Sequence, residues 1–413
     1  MAVPESGYPK KDEIIHARDV DETFVKVETA DISAGPWTSY TKELIRRNGE
    51  VCDALIYVDG SLDKNVSGSS FITVGSVKPT LQTLANEHHT HTSSDFTELS
   101  DWRIRTDASN TNDLVFGDRY HDKWYLAPDS KFGTTRIESV CYGNGKFVAV
   151  GNDGKIAYSS DGINWTAVTN SGFDTKTIKG VCYGDGKFVV GGANGKMAYS
   201  SDGVNWTLVS DSKFGSYYIC DICYGNGKFV AVGDGGTISY STDAVNWTSV
   251  SDSKFDVYSI YSVCYGNGKF VAVGDEGKIA YSTDAVNWTS VSVPESDLLP
   301  LYGVCYGSGK FVAGGDYGKI AYSTDAVNWT LVSDSKFDAY SIYSVCYGNG
   351  KYMAVGYKST GSSYSGRVAY SSDGATWTAV SDSKFDGLQI RSVCYGNEKF
   401  VAVGASGKIL YAI

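Results

Sequence analysis

The sequence predicts an all-β protein whose larger part is a seven-bladed β-propeller of about 41 residues per blade, preceded by a smaller, mainly β domain. The first observation is a Val/Ile-Cys-Tyr-Gly unit that recurs seven times, with its cysteines at Cys141, Cys182, Cys223, Cys264, Cys305, Cys346 and Cys394. The second is that each unit holds four short β-like runs separated by glycine-rich turns. A fixed period near 40 residues with four strands per unit is typical of propellers.

Residues 256–296 illustrate one predicted blade. Alternating β-rich runs at 258–265, 269–273, 278–282 and 287–291 predict four antiparallel strands, the first of them innermost. Asn267-Gly268 between the first two runs favours a type I′ hairpin turn. Period-2 alternation and dense glycine turns exclude a helical solenoid, and a parallel β-helix would need much shorter coils.

The ends of the chain predict how the ring closes. The seventh repeat stops at Ile413 within its third strand, without the Trp-Thr run that forms the fourth strand elsewhere. Forty-one residues before Trp165 lies Trp124, followed by the Asp-Ser-Lys-Phe tail that also follows other Trp strands. We therefore expect the strand at Trp124 to complete the last blade, which removes the exposed edges of an open sheet.

These patterns divide the chain into an attachment and oligomerisation domain at 1–86, a linker with a His-x-His segment at 87–120, and the propeller at 121–413. The first domain mixes β-like runs with a stretch from Tyr40 to Asn48 that is compatible with a short helix.

The amino-acid composition limits the classes of partner that this protein is expected to bind. A net charge of −11 gives no electrostatic reason to bind nucleic acid or an anionic membrane. We find no apolar run long enough to cross a bilayer and no signal peptide, so we expect synthesis in the cytoplasm without membrane insertion. The seven repeated cysteines are expected to be reduced, buried, small apolar residues, because equivalent positions in neighbouring blades lie too far apart for disulfides.

Differences between the repeats predict a binding face. Three and six residues before each cysteine, and in the turn after the second strand, the copies diverge, and the sixth blade enlarges that turn to residues 357–365. Strand direction places all these positions on one face around the mouth of the central channel, whereas the turns of the opposite face stay nearly constant. Drift in surface loops would affect both faces, and the divergent residues are rich in Tyr, which binding surfaces favour.

The side chains that we predict to contact a ligand on this face are Arg136, Glu138, Lys179, Tyr217, Tyr218, Tyr258, Tyr261, Tyr302, Tyr317, Tyr340, Tyr343, Tyr357, Tyr364 and Arg391.

No motif indicates catalysis. The recurring Gly-Asn-Gly-Lys lacks phosphate-loop spacing and precedes a strand. A sialidase-like site would need clustered arginines and a carboxylate pair, but the propeller's few arginines are scattered over distant blades. No Ser/His/Asp set is available, since no histidine follows His121. We expect no enzymatic activity, no catalytic residues and no cofactor for the propeller.

The run Tyr-Ser-Ser-Asp-Gly-Ile-Asn-Trp-Thr at 158–166, echoed at 199–207 and 370–378, resembles the Asp box of sialidase-type and related propellers, Ser-x-Asp-x-Gly-x-Thr-Trp, but is one residue shorter. In those families the Asp box is a structural turn between outer strands. The resemblance therefore implies the propeller fold and says little about catalysis.

Before the propeller, the segment Glu87-His88-His89-Thr90-His91-Thr92 places His89 and His91 on one side of an extended strand. Three chains around an axis would supply six imidazoles. This segment and the residues up to Phe116 resemble the linking segments of phage tail-fibre and baseplate proteins, whose trimeric shafts hold an axial metal through His-x-His. The resemblance implies a homotrimer with a structural metal ion at His89 and His91. The alternative is that these histidines are solvated in a polar linker.

Together these observations predict a non-enzymatic adhesin, the receptor-binding protein of a phage or phage-like tail. It would be a virion component that contacts other tail or baseplate proteins and binds a host cell-surface glycan or protein through one propeller face. The alternatives are an Asp-box-type glycosidase or depolymerase, and a structural virion or scaffold propeller that docks another protein.

Overall fold

The computed structural model describes residues 24–29, 37–46, 51–59, 71–73, 103–107, 110–117, 124–291, 300–359, 361, 363–380, 385 and 387–412. The chain forms two compact units, Met1–Tyr120 and His121–Ile413.

The first unit contains a six-stranded antiparallel sheet in the order β3-β2-β1-β6-β5-β4. Its strands are β1 (Phe24–Thr29), β2 (Trp37–Arg46), β3 (Val51–Asp59), β4 (Phe71–Thr73), β5 (Arg103–Asp107) and β6 (Asn110–Gly117). The short helix considered around Tyr40 is wrong: β2 pairs with β1 on one side and β3 on the other, and this pairing overrides local helix propensity. Strands β5 and β6 lie within the stretch that the sequence assigned to the linker.

The second unit is a propeller of seven four-stranded antiparallel sheets, as the sequence predicts. In blades 1 to 3 the strands are β8 (Ile137–Gly143), β9 (Lys146–Gly151), β10 (Ile156–Ser159), β11 (Thr166–Ala167); β12 (Ile178–Gly184), β13 (Lys187–Gly192), β14 (Met197–Ser200), β15 (Thr207–Leu208); and β16 (Ile219–Gly225), β17 (Lys228–Gly233), β18 (Ile238–Ser241), β19 (Thr248–Ser249).

Blades 4 to 6 repeat this order. Their strands are β20 (Ile260–Gly266), β21 (Lys269–Gly274), β22 (Ile279–Ser282), β23 (Thr289–Val291); β24 (Leu301–Gly307), β25 (Lys310–Gly315), β26 (Ile320–Ser323), β27 (Thr330–Leu331); and β28 (Ser341–Gly348), β29 (Lys351–Ser359), β30 (Tyr364–Ser371), β31 (Thr378–Ala379). The enlarged turn of blade 6 is a lengthened hairpin, because Ser359 still pairs with Tyr364.

Blade 7 closes the ring as the sequence predicts. It consists of β32 (Ile390–Gly396), β33 (Lys399–Gly404), β34 (Ile409–Ala412) and, from the start of the unit, β7 (Trp124–Leu126). Ala412 pairs with Trp124, whose side chain is fully buried beside Phe385. The innermost strands of neighbouring blades contact one another all round, including β32 and β8 across the closure.

Short 3-10 turns connect the second and third strands in six blades, at Asn152–Gly154, Ala193–Gly195, Asp234–Gly236, Asp275–Gly277, Asp316–Gly318 and Ala405–Gly407. The turns between the first and second strands are the predicted primed hairpins. Asn267 and Gly268, for example, have φ values of 45° and 74°, both in the left-handed region that a type I′ turn requires.

The hydrophobic core lies between the blades. Val148 and Ile156 of blade 1 pack against Ile178 and Phe188 of blade 2, with Cys141 at the edge of the same cluster. Equivalent clusters join the other blades. All eight described cysteines are free thiols. Of the seven repeated ones, Cys182 and Cys305 are buried as predicted, whereas the other five are half-buried. Desolvation raises the pKa of the Cys141 thiol well above its usual value. The repeated cysteine is therefore a packing residue between blades.

The Tyr-Gly pair that follows each cysteine also packs between blades. A Cβ on Gly143 would lie 2.1 Å from Cγ of Tyr183 in the next blade, so only glycine leaves room for that ring. Tyr183 in turn packs against Phe188 of its own blade at 4.7 Å between ring centroids. The same contact repeats round the ring at Gly184, Gly225, Gly266, Gly307, Gly348 and Gly396.

Two residues before the cysteine, a short polar side chain links neighbouring innermost strands in four of the blades. The hydroxyls of Ser262, Ser344 and Ser392 accept hydrogen bonds from the backbone N–H of Val304, Val393 and Val140 at 3.3–3.4 Å. Blade 3 carries Asp221 at this position. Its carboxylate accepts hydrogen bonds from the Val263 N–H at 3.0 Å and from the Ser262 hydroxyl at 2.8 Å. Burial nevertheless raises the pKa of Asp221 to about 6.

The constant face consists of turns locked by their own hydrogen bonds. In blade 4 the Asp284 carboxylate accepts from the Ser282 hydroxyl at 3.0 Å and from the Asn287 N–H at 2.8 Å. These turns also join neighbouring blades, because the Lys269 ammonium donates to the carbonyl of Asp325 at 2.9 Å. Such bonds fix the residue types, which explains why this face does not vary between repeats.

Candidate functional site

A pocket of about 440 Å³ lies at the mouth of the central channel. Every blade contributes to it, so it lies on the axis of the ring. Its lining residues are Arg136, Glu138, Thr177, Lys179, Tyr218, Cys220, Asp234, Tyr261, Tyr302, Tyr343 and Arg391. The volume is within the range of about 300–1,000 Å³ that is usual for small-molecule sites.

A β-bulge near the start of each innermost strand positions the central members of this set. In blade 4, Ile260 pairs with Gly274 and Ser262 with Val273, which leaves Tyr261 outside the ladder. The same shift occurs in all seven blades, and the unpaired residues are Glu138, Lys179, Cys220, Tyr261, Tyr302, Tyr343 and Arg391. We call these seven the bulge residues. Because a bulge re-aims the side chain of the extra residue, it turns all seven towards the axis.

Three tyrosines form the aromatic wall of the pocket, on blades 4 to 6. The ring centroids of Tyr261 and Tyr302 lie 5.2 Å apart, and those of Tyr302 and Tyr343 lie 5.0 Å apart with an interplanar angle of 12°. Tyr343 stacks in turn on Tyr357 of the lengthened hairpin, at 4.6 Å and 7°. Most ring faces are covered by other rings, so the wall presents edges and hydroxyl groups to the pocket.

The hydroxyl groups of this wall are oriented by aspartates in the adjoining turns. Tyr261 donates to Oδ1 of Asp275 at 2.7 Å, and Tyr302 donates to Oδ2 of Asp316 at 3.1 Å. Burial and these aspartates raise the pKa values of both tyrosines above their usual range. Each hydroxyl group stays protonated and donates its hydrogen bond to the aspartate, so its oxygen is free to accept a hydrogen bond from a ligand.

Cations occupy the opposite side of the pocket, on blades 7, 1 and 2. The prediction that the arginines lie on distant blades is wrong, because the closed ring makes blades 6, 7 and 1, which carry Arg367, Arg391 and Arg136, consecutive. The Glu138 side chain is buried and accepts a hydrogen bond from Nε of Arg136 at 2.6 Å. The Lys179 ammonium lies 3.8 Å from the other oxygen of Glu138. One carboxylate therefore compensates part of the charge of two cations.

Arg391 differs from the other cations of the pocket. Its guanidinium carbon lies 4.7 Å from the ring centroid of Tyr343 and 5.1 Å from that of Tyr357. Within the described part of the chain it forms no ion pair, and its buried Nε has no hydrogen-bond partner.

The structure places eight of the predicted ligand-contacting residues in the pocket: Arg136, Glu138, Lys179, Tyr218, Tyr261, Tyr302, Tyr343 and Arg391. Four others lie outside its lining as exposed tyrosines, namely Tyr217, Tyr258, Tyr317 and Tyr364. The remaining two are buried, which restricts them to a supporting role. Tyr340 lies beneath the side chains of Lys358 and Arg367, and Tyr357 lies between Tyr343 and Tyr364.

Sequence comparison between the repeats missed three lining residues. Cys220 is a bulge residue, and its equivalence to Tyr261 was a usable signal. Asp234 belongs to a turn recognised as variable, and its Oδ1 accepts a hydrogen bond from the Ser259 hydroxyl at 3.1 Å. Thr177 gave no signal, because its position relative to the bulge depends on the path between blades 1 and 2.

His89 and His91 lie outside the described residues, so the axial metal site stays a prediction. Among the residues that the structure does describe, no group of three or more His, Cys, Asp or Glu side chains is arranged to hold a metal ion. Within that same part, no helix has the length and apolar character needed to cross a membrane.

Comparisons with known proteins support the fold. Residues 221–408 match the model of the DUF6242 beta propeller domain. The chain is structurally similar to YCF48 from Cyanidioschyzon merolae, with 18% identity and a TM-score of 0.54 over 70% of this chain and 98% of that one. The structure of YCF48 bound to a D1 peptide has 18% identity and a TM-score of 0.56, over 71% of this chain and 96% of that one.

A catalytically inactive virginiamycin B lyase from Staphylococcus aureus, solved with quinupristin, gives 13% identity and a TM-score of 0.55 over 70% of this chain and 98% of that one. A search of curated proteins finds no match. At these identities the structural similarities establish the propeller fold alone.

Proposed function

We propose that the propeller is a binding protein without catalytic activity and that it holds its ligand in the pocket at the channel mouth. The observation that carries this proposal is the convergence of the seven bulge residues on one pocket. They differ in chemistry, whereas the strands that present them are nearly identical. A bulge residue lies outside the ladder, so neither backbone pairing nor the core between blades dictates its identity.

The carboxylates of the pocket argue for binding rather than hydrolysis. Glu138 is held by Arg136 and Lys179, and Asp234 accepts a hydrogen bond from Ser259. Glycoside hydrolysis needs one carboxyl group with a raised pKa and a second carboxylate across the scissile bond. Both oxygens of Glu138 already face cations of the protein itself, so this carboxylate serves to hold Arg136 and Lys179 in place.

We further propose that the ligand is displayed on a cell surface, as a glycan or a protein, and that the chain is an adhesin of a phage or phage-like tail. The tyrosine-rich pocket and its rim suit adhesion, since tyrosines offer broad contact at low entropic cost. The resemblance of the segment containing His89 and His91 to tail-fibre linkers gives the tail context.

The test is retention of the labelled full-length chain on intact bacterial cells and on an array of bacterial surface polysaccharides. Tyr302→Ala removes the central ring of the aromatic wall. The fold accepts other side chains at this position, because blade 2 carries Lys179 and blade 3 carries Cys220 there. We expect retention to weaken at least about tenfold, the loss typical of a binding hot spot.

The matched control is Val286→Ser, which changes a partly exposed side chain in a turn of the opposite face. We expect this variant to bind like the unaltered chain. Equal binding by Tyr302→Ala, with an unchanged thermal unfolding midpoint, would overturn the assignment of the pocket.

A second candidate is docking of another protein. Exposed tyrosines outside the pocket favour it, notably Tyr217 at 52% and Tyr317 at 64% exposure. Among the structural neighbours, YCF48 is known bound to a peptide. A protein partner would cover the rim, whereas a small ligand in the pocket would not reach it. Tyr317→Ser would then weaken binding more than Tyr302→Ala does.

A further inference from the structure

We infer that the ligand group bound in the mouth pocket is a sugar carrying one carboxylate, which Arg391 binds. This inference rests on the proposed function and adds the chemical class of the ligand.

Of the three cations that line the pocket, two already have a carboxylate. Glu138 lies 2.6 Å from Arg136 and 3.8 Å from Lys179. Arg391 has only the rings of Tyr343 and Tyr357 near its guanidinium, and its buried Nε has no hydrogen-bond partner among the described residues. Nε is enclosed, but Arg391 as a whole is half-buried and lines the pocket, so its terminal N–H groups are the ones that a ligand carboxylate would reach.

The chemistry of guanidinium selects the acceptor. Its planar fork of N–H groups matches the two oxygens of a carboxylate, and such charge-assisted pairs are short and strong. The contacts of its guanidinium carbon with the rings of Tyr343 and Tyr357, at 4.7 and 5.1 Å, restrict the Arg391 side chain before a ligand binds. Arg391 is the lining cation without a carboxylate partner among the described residues, so it is the contact that we expect for the carboxylate of the ligand.

The rest of the pocket offers acceptors for hydroxyl groups. Tyr261 and Tyr302 use their protons on Asp275 and Asp316, so their oxygens face a ligand as acceptors. The Asp234 carboxylate adds a further acceptor at the rim. An acidic residue of a peptide offers only backbone N–H groups as donors beside its carboxylate. A sugar with one carboxylate brings hydroxyl donors instead, so an acidic sugar matches the pocket better.

The experiment measures the dissociation constants of four compounds for the full chain by calorimetry. D-glucuronate and N-acetylneuraminate represent the two kinds of acidic sugar. D-glucuronamide is the neutral counterpart of the first, and an acetylated Gly-Asp-Gly amide is an acidic peptide. We expect at least one acidic sugar to bind, and both the amide and the peptide to bind at least about tenfold more weakly. The acid that binds more tightly identifies the kind of sugar.

Two arginine variants localise the contact. Arg391→Gln should weaken binding of the preferred acid at least about tenfold and leave the weak affinity for D-glucuronamide unchanged. Arg367→Gln is the matched control. Arg367 also lies over a tyrosine, 4.1 Å from the ring centroid of Tyr340, but it pairs with Asp338 and does not line the pocket. We expect it to keep the affinity within about twofold.

Binding of D-glucuronamide or of the peptide as tight as that of the preferred acid, or no binding of either acid, would overturn the inference. These failures are distinguishable from failure of the proposed function. If Tyr302→Ala lost retention on cells while Arg391→Gln kept it, the pocket would stand as the binding site and only the acidic-sugar assignment would fall.

Discussion

Asp221 makes the stability of the propeller depend on pH in a way that one substitution removes. It is the only aspartate at its repeat position, where blades 1, 4, 6 and 7 carry serine and blades 2 and 5 carry glycine. Burial raises its pKa to about 6 from an ordinary value of 3.8. Because the protonated form is favoured in the folded state, stability is greatest below pH 3.8 and falls as the pH rises towards 6 and above.

The magnitude follows from the two pKa values. Each pH unit between them is worth 1.36 kcal/mol, so ionisation of Asp221 costs the folded state roughly 3 kcal/mol above pH 7. Asp221→Ser abolishes this cost and supplies a hydroxyl that can accept the Val263 N–H, as Ser262 does for Val304. We expect the variant to gain roughly 3 kcal/mol over the unaltered chain between pH 4 and pH 7.

The assay is urea unfolding followed by tryptophan fluorescence at one-unit steps from pH 4 to pH 8, with both proteins at each pH. Other titrating groups cancel in the difference between the two. Ser344→Ala is the control, since it removes the equivalent hydrogen bond to Val393 without changing charge. Its effect should be about 1 kcal/mol at every pH. A difference between Asp221→Ser and the unaltered chain that did not change with pH would refute the reasoning.

Four further substitutions test the packing, the closure and the turns of the propeller. Gly266→Ala places a Cβ 2.0 Å from Cγ of Tyr306 and should cost about 1–3 kcal/mol in the free energy of unfolding by urea. Trp124→Ala removes the buried side chain at the start of β7 and should lower the free energy of unfolding by about 3–5 kcal/mol. Tyr125 is exposed, so Tyr125→Ala should lower it by about 1 kcal/mol. Equal losses would contradict the view that packing of Trp124 closes the ring. Tyr317 has a φ of 49°, a conformation that glycine adopts without strain. Tyr317→Gly should therefore stabilise the fold by about 0.5–1 kcal/mol, measured as a higher thermal unfolding midpoint.

The sequence predicted the blades and their closure because the frame is repeated and local. Asn267-Gly268 selects its turn from its own backbone preference, and the distance from Trp165 to Trp124 matches the repeat period. Cys141 was also recognised as a packing residue. The reason for the adjoining Tyr-Gly pair was not predictable, because Gly143 makes its contact with Tyr183 in another blade.

For the candidate site, the sequence predicted the face but not every accessible residue. Tyr340 and Tyr258 occupy equivalent positions in their repeats, so the sequence does not distinguish them. In the structure Tyr340 is 7% exposed and Tyr258 is 38% exposed, because the lengthened hairpin of blade 6 places Lys358 and Arg367 over the first ring. Only blade 6 has this lengthened hairpin, so comparison with the other repeats could not predict which side chains it covers.

The propeller repeats its strands and turns seven times, but the bulge residues that line the pocket differ between the blades. A symmetric pocket would present one side chain seven times and hold a ligand in seven equivalent orientations. Here the cations Arg391, Arg136 and Lys179 occupy adjacent blades, and Tyr261, Tyr302 and Tyr343 occupy the adjacent blades on the other side. Drift among exposed positions would scatter these types round the ring. Their segregation into a cationic side and an aromatic side defines one orientation for a ligand that has one acidic end.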